Sequence, residues 1–138
     1  MSEAAAKRRR VVCDASALVA LLMDDGTDGR WAADALAGAD LAAPTLVPFE
    51  TANVFRRLER SGQVGPDQAA QAHADLLDLA VEQWPYELLA ARAWELRHVL
   101  SSYDASYVAL AELLDVTLVT LDRRLASAQG LRCAVATP

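Results

Sequence analysis

Four carboxylates are notable for where they fall. Asp14 interrupts the apolar run VVCDASALVALL. Glu50 lies in PTLVPFETANVFRRL, Asp104 opens the apolar stretch YDASYVALAELL, and Asp122 follows TLVT by one residue. A buried, unpaired carboxylate costs several kcal/mol or takes up a proton, so something must compensate Asp14. Singly, Asp104 and Asp122 have the ordinary explanation of helix N-caps, and Glu50 that of an ion pair with Arg57 or another arginine. Asp14 has no nearby base. Jointly, crowded carboxylates repel one another and raise each other's pKa. A divalent cation removes the conflict. Mg²⁺ and Mn²⁺ take oxygen ligands, and Mg²⁺ usually binds through one or two carboxylates while keeping water. More acids than one ion needs suits two ions. About 3.5–4 Å apart, two ions activate a water and stabilise the leaving oxygen in phosphodiester hydrolysis.

These acids meet only if the elements carrying them converge. Val11 to Cys13 is a short β-branched strand, followed by a helix over Ser16–Met23. DDGTDG is a turn from which Thr27 or Asp28 caps a helix running to about Leu36. Leu41–Ala43 is a short strand. A helix runs from Pro44 or Pro48 to about Ser61, with Phe49, Ala52, Phe55 and Leu58 as its core stripe, and Gly62 ends it. Pro66 starts the next helix, whose apolar side carries Leu76, Leu77 and Ala80. Val81–Trp84 is a strand stopped by Pro85. Tyr86–Leu100 is a periodic helix with Leu89, Ala93, Leu96 and Leu100 on one face. SSYD caps a helix from Asp104 to about Leu114. Val116–Thr120 is the clearest strand, Asp122–Ala126 starts a short helix, and Leu131–Val135 is a last strand. Short apolar strands alternating with helices define an α/β fold with a buried parallel sheet flanked by helices. Asp14 and Asp122 then lie at the carboxyl ends of strands, where ligands gather in such sheets.

The chain has 138 residues, 54% hydrophobic, with a net charge of -6. This fits a single domain over residues 8–138 behind a disordered tail, residues 1–7. The acidic balance excludes a protein that coats nucleic acid by bulk charge, but not a local basic patch. Lys7 is the only lysine, which excludes core-lysine chemistry such as a Schiff base, and no glycine-rich phosphate loop is present. Cys13 and Cys133 have no CxxC partners and read as buried thiols in a reducing cytosol. Asp14 and Ser16 interrupt the one stretch resembling a signal peptide, and no apolar run is long enough to cross a bilayer. The chain therefore reads as soluble and cytoplasmic. The basic run Lys7–Arg10 is a solvated flank or an RNA-phosphate contact.

The four blocks quoted above, in that order, resemble the signature blocks of PIN-domain ribonucleases, and most closely the VapC toxins of bacterial toxin–antitoxin pairs. They span Val11 to Ala126. The resemblance implies a single PIN-like α/β/α sandwich. It implies that Asp14, Glu50, Asp104 and Asp122 form the acidic, catalytic metal site for one or two Mg²⁺ or Mn²⁺ ions. Ser16, Asn53 and Thr120 match the family's supporting polar positions. An endoribonuclease leaving 5′-phosphate and 3′-hydroxyl ends is implied, as are a homodimer and a VapB-like antitoxin that covers the toxin. Arg56, Arg57, Arg60, Arg123 and Arg124 flank the acid blocks. They are candidates for RNA-phosphate contacts or ordinary helix-surface pairing.

Two other classes fail on single residues. A haloacid-dehalogenase-type phosphatase wants an aspartate two positions after the first, where this chain has Ser16. A response-regulator receiver wants a late lysine. The remaining rival is a non-catalytic PIN-like module that binds a partner and cleaves nothing. His73 and His98 read as surface histidines, and Trp31, Trp84 and Trp94 as core or interface. The helical segment Trp31–Leu79 has apolar faces suited to a dimer or antitoxin groove.

Overall fold

The structure is a computed structural model that describes residues 8–138, so the expectation for residues 1–7 lies outside the described residues. The β-branched run forms strand β1, Arg10–Cys13, in which Val11, Val12 and Cys13 are buried. It lies in the middle of a five-stranded sheet of order β3-β2-β1-β4-β5, with every pairing parallel. The partners are β2 (Asp40–Pro44), β3 (Val81–Trp84), β4 (Thr117–Val119) and β5 (Val135–Ala136). Val12 stands opposite Ala42 on one side and Leu118 on the other.

The chain runs outward from β1 through β2 to β3, then returns to β4 on the far side of β1. Right-handed crossovers therefore put the outward helices on one face of the sheet and the return helices on the other. The outward set is α1 (Ala15–Met23), α2 (Thr27–Leu36), α3 (Val47–Arg60) and α4 (Pro66–Asp78). The return set is α5 (Ala90–Glu95) and α6 (Ser102–Leu114), and α6 packs on β1, β2 and β4. α7 (Arg123–Ser127) follows β4. Reversal of direction between β1 and β4 opens the crevice where ligands bind in doubly wound sheets. α6 is buried without a break from Ala105 to Ala111, as a helix sunk in the core should be. Its last turn ends at Asp115 in the left-handed conformation, φ 54°.

Several elements differ from the expectations. α2 begins after Gly26, with Thr27 and Asp28 inside the helix and no side-chain cap. Gly29 is needed there because a β-carbon would sit 1.6 Å from the Asp24 carbonyl oxygen, where α1 hands over to α2. The core face of α3 is Val47, Thr51 and Phe55, while Phe49 is 79% exposed. A three-residue step falls about 60° short of a full turn, so three such steps wind off the buried face. On α4 the buried positions are Ala69, Ala72 and Leu76, Leu77 faces outward, and Ala80 lies exposed beyond the end of the helix. Tyr86–Leu100 is not one helix. A 3₁₀ turn (Tyr86–Leu88) precedes α5, and i→i+3 bonds close the stretch after it. Leu89, Ala93 and Leu96 still point inward.

α6 begins two residues before Asp104, capped by Ser101, whose hydroxyl accepts from the Asp104 N–H at 3.1 Å. The last strand is only two residues long. The Arg132 N–H is diverted to Glu112 Oε2 at 2.7 Å, so that stretch cannot join the ladder earlier. Cys13 is buried, whereas Cys133 is only half-buried. Among the described residues, no helix is long and apolar enough to cross a membrane.

Candidate active site

Asp14 is the residue at which β1 becomes α1. It is 7% exposed and caps α1, with Oδ1 accepting from the Ala17 N–H at 3.0 Å. The same oxygen accepts from Ser16 Oγ at 2.6 Å, and Oδ2 accepts from Thr120 Oγ1 at 2.5 Å. Each hydroxyl is itself oriented by backbone across the sheet edge. Ser16 Oγ accepts from the Leu121 N–H at 2.9 Å, and Thr120 Oγ1 from the Asp122 N–H at 2.9 Å. So the carboxylate that should have lacked a partner has three hydrogen bonds. They satisfy its lone pairs without neutralising its charge. Burial raises its pKa, the Ser16, Thr120 and Ala17 bonds lower it, and the charge of Asp104 raises it further.

Glu50 lies in the first turn of α3 and does not pair with Arg57. Its Oε1 accepts from the Tyr107 hydroxyl at 2.7 Å. Tyr107 is 1% exposed and sits one turn after Asp104 on α6. Burial raises the Glu50 pKa, the Tyr107 bond lowers it, and Asp104 and Asp14 raise it. Burial also raises the Asp104 pKa, with Asp122 adding to the rise and Arg124 opposing it. Asp104 is therefore the common neighbour: its charge is felt at Asp14 and Glu50, and it feels that of Asp122.

Asp122 caps α7, accepting from the Arg124 N–H at 3.0 Å. The Arg124 guanidinium also forks onto it, Nε to Oδ1 at 3.1 Å and an Nη to Oδ2 at 2.8 Å. These bonds hold its pKa below the ordinary value. Both oxygens of this acid are thus occupied by a neighbour two residues away.

The four expected acids share one edge of the sheet, with Ser16 and Thr120 in direct support. Asn53 does not join them: it is exposed, and its Oδ1 accepts from Arg56 Nε at 3.1 Å. Among the arginines, Arg124 alone is bonded to one of the acids. Arg123 donates to the Pro138 carbonyl at 3.1 Å, and Arg57 and Arg60 are exposed on α3. The amino-terminal arginines work at the opposite edge. Arg8 pairs with Asp40 and Arg10 with Glu82, both at 3.1 Å, and Arg9 caps the end of α2 through the Ala35 carbonyl at 2.9 Å. These contacts fit a solvated flank for Arg8–Arg10, and Lys7 lies outside the described residues. His73 lines a shallow cavity with Phe49, Asn53 and Arg56, away from Asp14. Tyr107 was missed by sequence reasoning. Its only signal was a polar-tipped aromatic inside the stretch of α6 that is buried without a break.

The donor set is all oxygen, which suits Mg²⁺ or Mn²⁺. Among the described residues, no three carboxylate, imidazole or thiol side chains converge closely enough to cage an ion. The reason is local: Asp14, Glu50 and Asp122 are each turned to hydrogen-bond partners of their own. The arrangement fits in kind a cation that takes one or two carboxylates and keeps its water.

The PIN domain model matches residues 11–131. The chain belongs to the PIN-domain family. It is 41% identical over 125 residues to Ribonuclease VapC9 of Mycobacterium tuberculosis, covering 91% of this chain and 95% of that protein. Among solved structures it resembles PAE2754 from Pyrobaculum aerophilum, with TM-score 0.66 and 29% identity, over 92% of this chain and 83% of that one. It also resembles Mycobacterium tuberculosis VapC20, a sarcin–ricin loop cleaving toxin, with TM-score 0.63 over 88% of this chain and 95% of that one. At 22% identity the latter likeness is one of fold.

Proposed function

We propose that the protein is a metal-dependent endoribonuclease, the toxin of a type II toxin–antitoxin pair, acting in the cytoplasm as a homodimer and restrained by a VapB-like antitoxin. One observation carries this reading: Asp14, Glu50 and Asp104 stand at a single sheet edge where burial raises each pKa, the charge of Asp104 adds to the rise at Asp14 and Glu50 and that of Asp122 to the rise at Asp104, and no cation among the described residues is paired to these three. A cluster that strains against its own charge is suited to an external divalent cation. The 41% identity to a VapC ribonuclease supports the reaction class.

In this reading Asp14, Glu50, Asp104 and Asp122 hold Mg²⁺ or Mn²⁺, directly or through water. When bound, the ion supplies charge compensation to the scissile phosphate and eases deprotonation of the attacking water. The chain's own residues set the geometry. Ser16, Thr120 and the Ala17 N–H fix the Asp14 carboxylate. The Tyr107 hydroxyl holds one oxygen of Glu50 and leaves the other free. Arg124, exposed and fork-shaped, is placed to exchange Asp122 for a substrate phosphate.

The test is RNA cleavage by purified, partner-free protein with Mg²⁺, with Mn²⁺ and with EDTA, alongside Asp14→Asn. Metal-dependent cuts absent from the variant are expected. A folded, partner-free protein that leaves total cellular RNA intact with either metal would favour the non-catalytic binding module.

A further inference from the structure

A second feature lies on the same sheet edge, toward β3. Tyr86 and Tyr103 are 42% and 63% exposed. They line one cavity of about 210 Å³ together with Thr45, Leu46, Ser102 and Ser106. Every wall comes from a carboxyl-end segment or the helix that faces it. Thr45 and Leu46 follow β2, Tyr86 follows β3, and the remaining three open α6. The Thr45 N–H bonds the Trp84 carbonyl at 3.0 Å, which fixes the floor to the sheet. The Ser101 cap sets the first turn of α6 and so places Tyr103 beside Asp104 in the chain.

No charged side chain lines this cavity. A phosphate has nothing to hold it there, and the acids next door would repel one. A flat, uncharged ring meets none of these objections. It offers π-faces to the tyrosines and polar edges to the hydroxyls of Thr45 and Ser102. The volume lies below the ~300 Å³ at which drug-sized pockets begin. One ring system fits, and a longer polymer must leave along the surface.

We propose that this cavity is a base-binding subsite, in which Tyr86 and Tyr103 stack an unpaired nucleobase next to the scissile phosphate and so select the cleavage position. The inference rests on the ribonuclease reading, and it names residues that determine specificity and do no chemistry. Continuity with the acid cluster argues for this occupant, because Tyr103 and Asp104 stand together in the first turn of α6. Aromatic platforms of this kind are the common means of holding single-stranded RNA.

The experiment uses short synthetic single-stranded RNAs of randomised sequence and the full chain. Wild type, Tyr86→Ala, Tyr103→Ala and Tyr103→Phe are compared, with Trp94→Ala as a control elsewhere on the surface. The alanine variants are expected to raise KM by about 5- to 150-fold, the loss of one stacked base. They should also lose nucleotide preference at one position beside the cut. Tyr103→Phe and Trp94→Ala should keep both. Unchanged KM and cleavage pattern in folded alanine variants would overturn the subsite. So would an unchanged pattern with a fall in sedimentation mass, which would assign the tyrosines to contact with a second copy. If wild type cuts no RNA, the ribonuclease reading fails by itself. The subsite is then judged by fluorescence anisotropy of labelled single-stranded RNA in EDTA, where weaker binding by both alanine variants supports it and equal binding rejects it.

Discussion

Replacing Asp14 by asparagine should cost little stability, and replacing it by alanine should cost more. In the asparagine variant the amide oxygen keeps the bonds from Ser16 Oγ and the Ala17 N–H. The amide nitrogen reverses the third bond, donating to Thr120 Oγ1. The Thr120 proton then turns toward Ser16 Oγ, 3.3 Å away. Every polar atom remains satisfied. What is lost is charge assistance, about 1 kcal/mol for each bond. What is gained is relief from burying an ion, several kcal/mol. The two oppose each other, so net stability without metal should stay within about 2 kcal/mol of wild type, a shift in Tm below roughly 10 °C for a domain of this size. Alanine instead strands the Ala17 N–H and one hydroxyl proton, since Thr120 Oγ1 and Ser16 Oγ can bond each other, at about 1–3 kcal/mol each, so about 2 kcal/mol or more is lost. Thermal unfolding in EDTA measures both.

Proton linkage sharpens the contrast. The Asp14 pKa is raised in the folded protein, so between the ordinary carboxylate value and that raised value the folded state holds a proton the unfolded chain has lost. Stability therefore falls as pH rises through this window, and the asparagine variant should lack that slope. Mg²⁺ at a hundred times its Kd should stabilise wild type by about 2.7 kcal/mol and the asparagine variant by much less. An asparagine variant as unstable as the alanine one would refute the account, because it would mean that the network needs the charge itself.

Other outcomes follow from single contacts. Tyr107→Phe removes the donor that lowers the Glu50 pKa, so the acidic limb of the pH–rate profile should move upward, with kcat falling more than KM changes. Arg124→Gln releases Asp122, so carboxyl NMR titration should show the Asp122 and Asp104 pKa values rising together. Glu112→Gln weakens the bonds from Arg92 Nε at 2.6 Å and the Arg132 N–H at 2.7 Å, which together tie α5 and the approach to β5 onto α6. The Glu112 pKa is lowered on folding, so wild type should lose this stabilisation as pH falls through the lowered value. The variant should lose about 1–3 kcal/mol at neutral pH and little in acid. Hydrogen exchange at Val135 and Ala136 should quicken with it.

The parallel sheet and the four acids were legible because they depend on short-range pattern. An apolar strand followed by an acid fixes both the strand and the edge on which the acid lies. Patterns one step less local misled. The three-residue recurrence of Phe49, Ala52, Phe55 and Leu58 resembled a stripe, yet the period of the helix put Val47, Thr51 and Phe55 inward. The inward positions at Leu89, Ala93 and Leu96 were right although the helix drawn through Tyr86–Leu100 was not, since Leu89 and Leu96 flank α5 and Ala93 lies within it. Asp104 was placed at a helix start, but Ser101 takes the capping role. The partners of the acids were hidden altogether. Glu50 meets Tyr107 across 57 positions and Asp14 meets Thr120 across 106, distances at which no local rule operates.

That last separation has a consequence in time. β1 emerges first during synthesis, but its neighbour β4 and the hydroxyl that fixes Asp14 come more than a hundred residues later. At about 5–20 residues per second, the ribosome takes at least several seconds to cover that gap. Throughout this interval the central strand has only one flank, and Asp14 lacks Thr120. A nascent or prematurely terminated chain that stops short of Asp122 carries three of the four acids and cannot close the crevice between β1 and β4. The order of the strands thus works as a delay, with the acid cluster completed only once β4 and the residues after it have emerged.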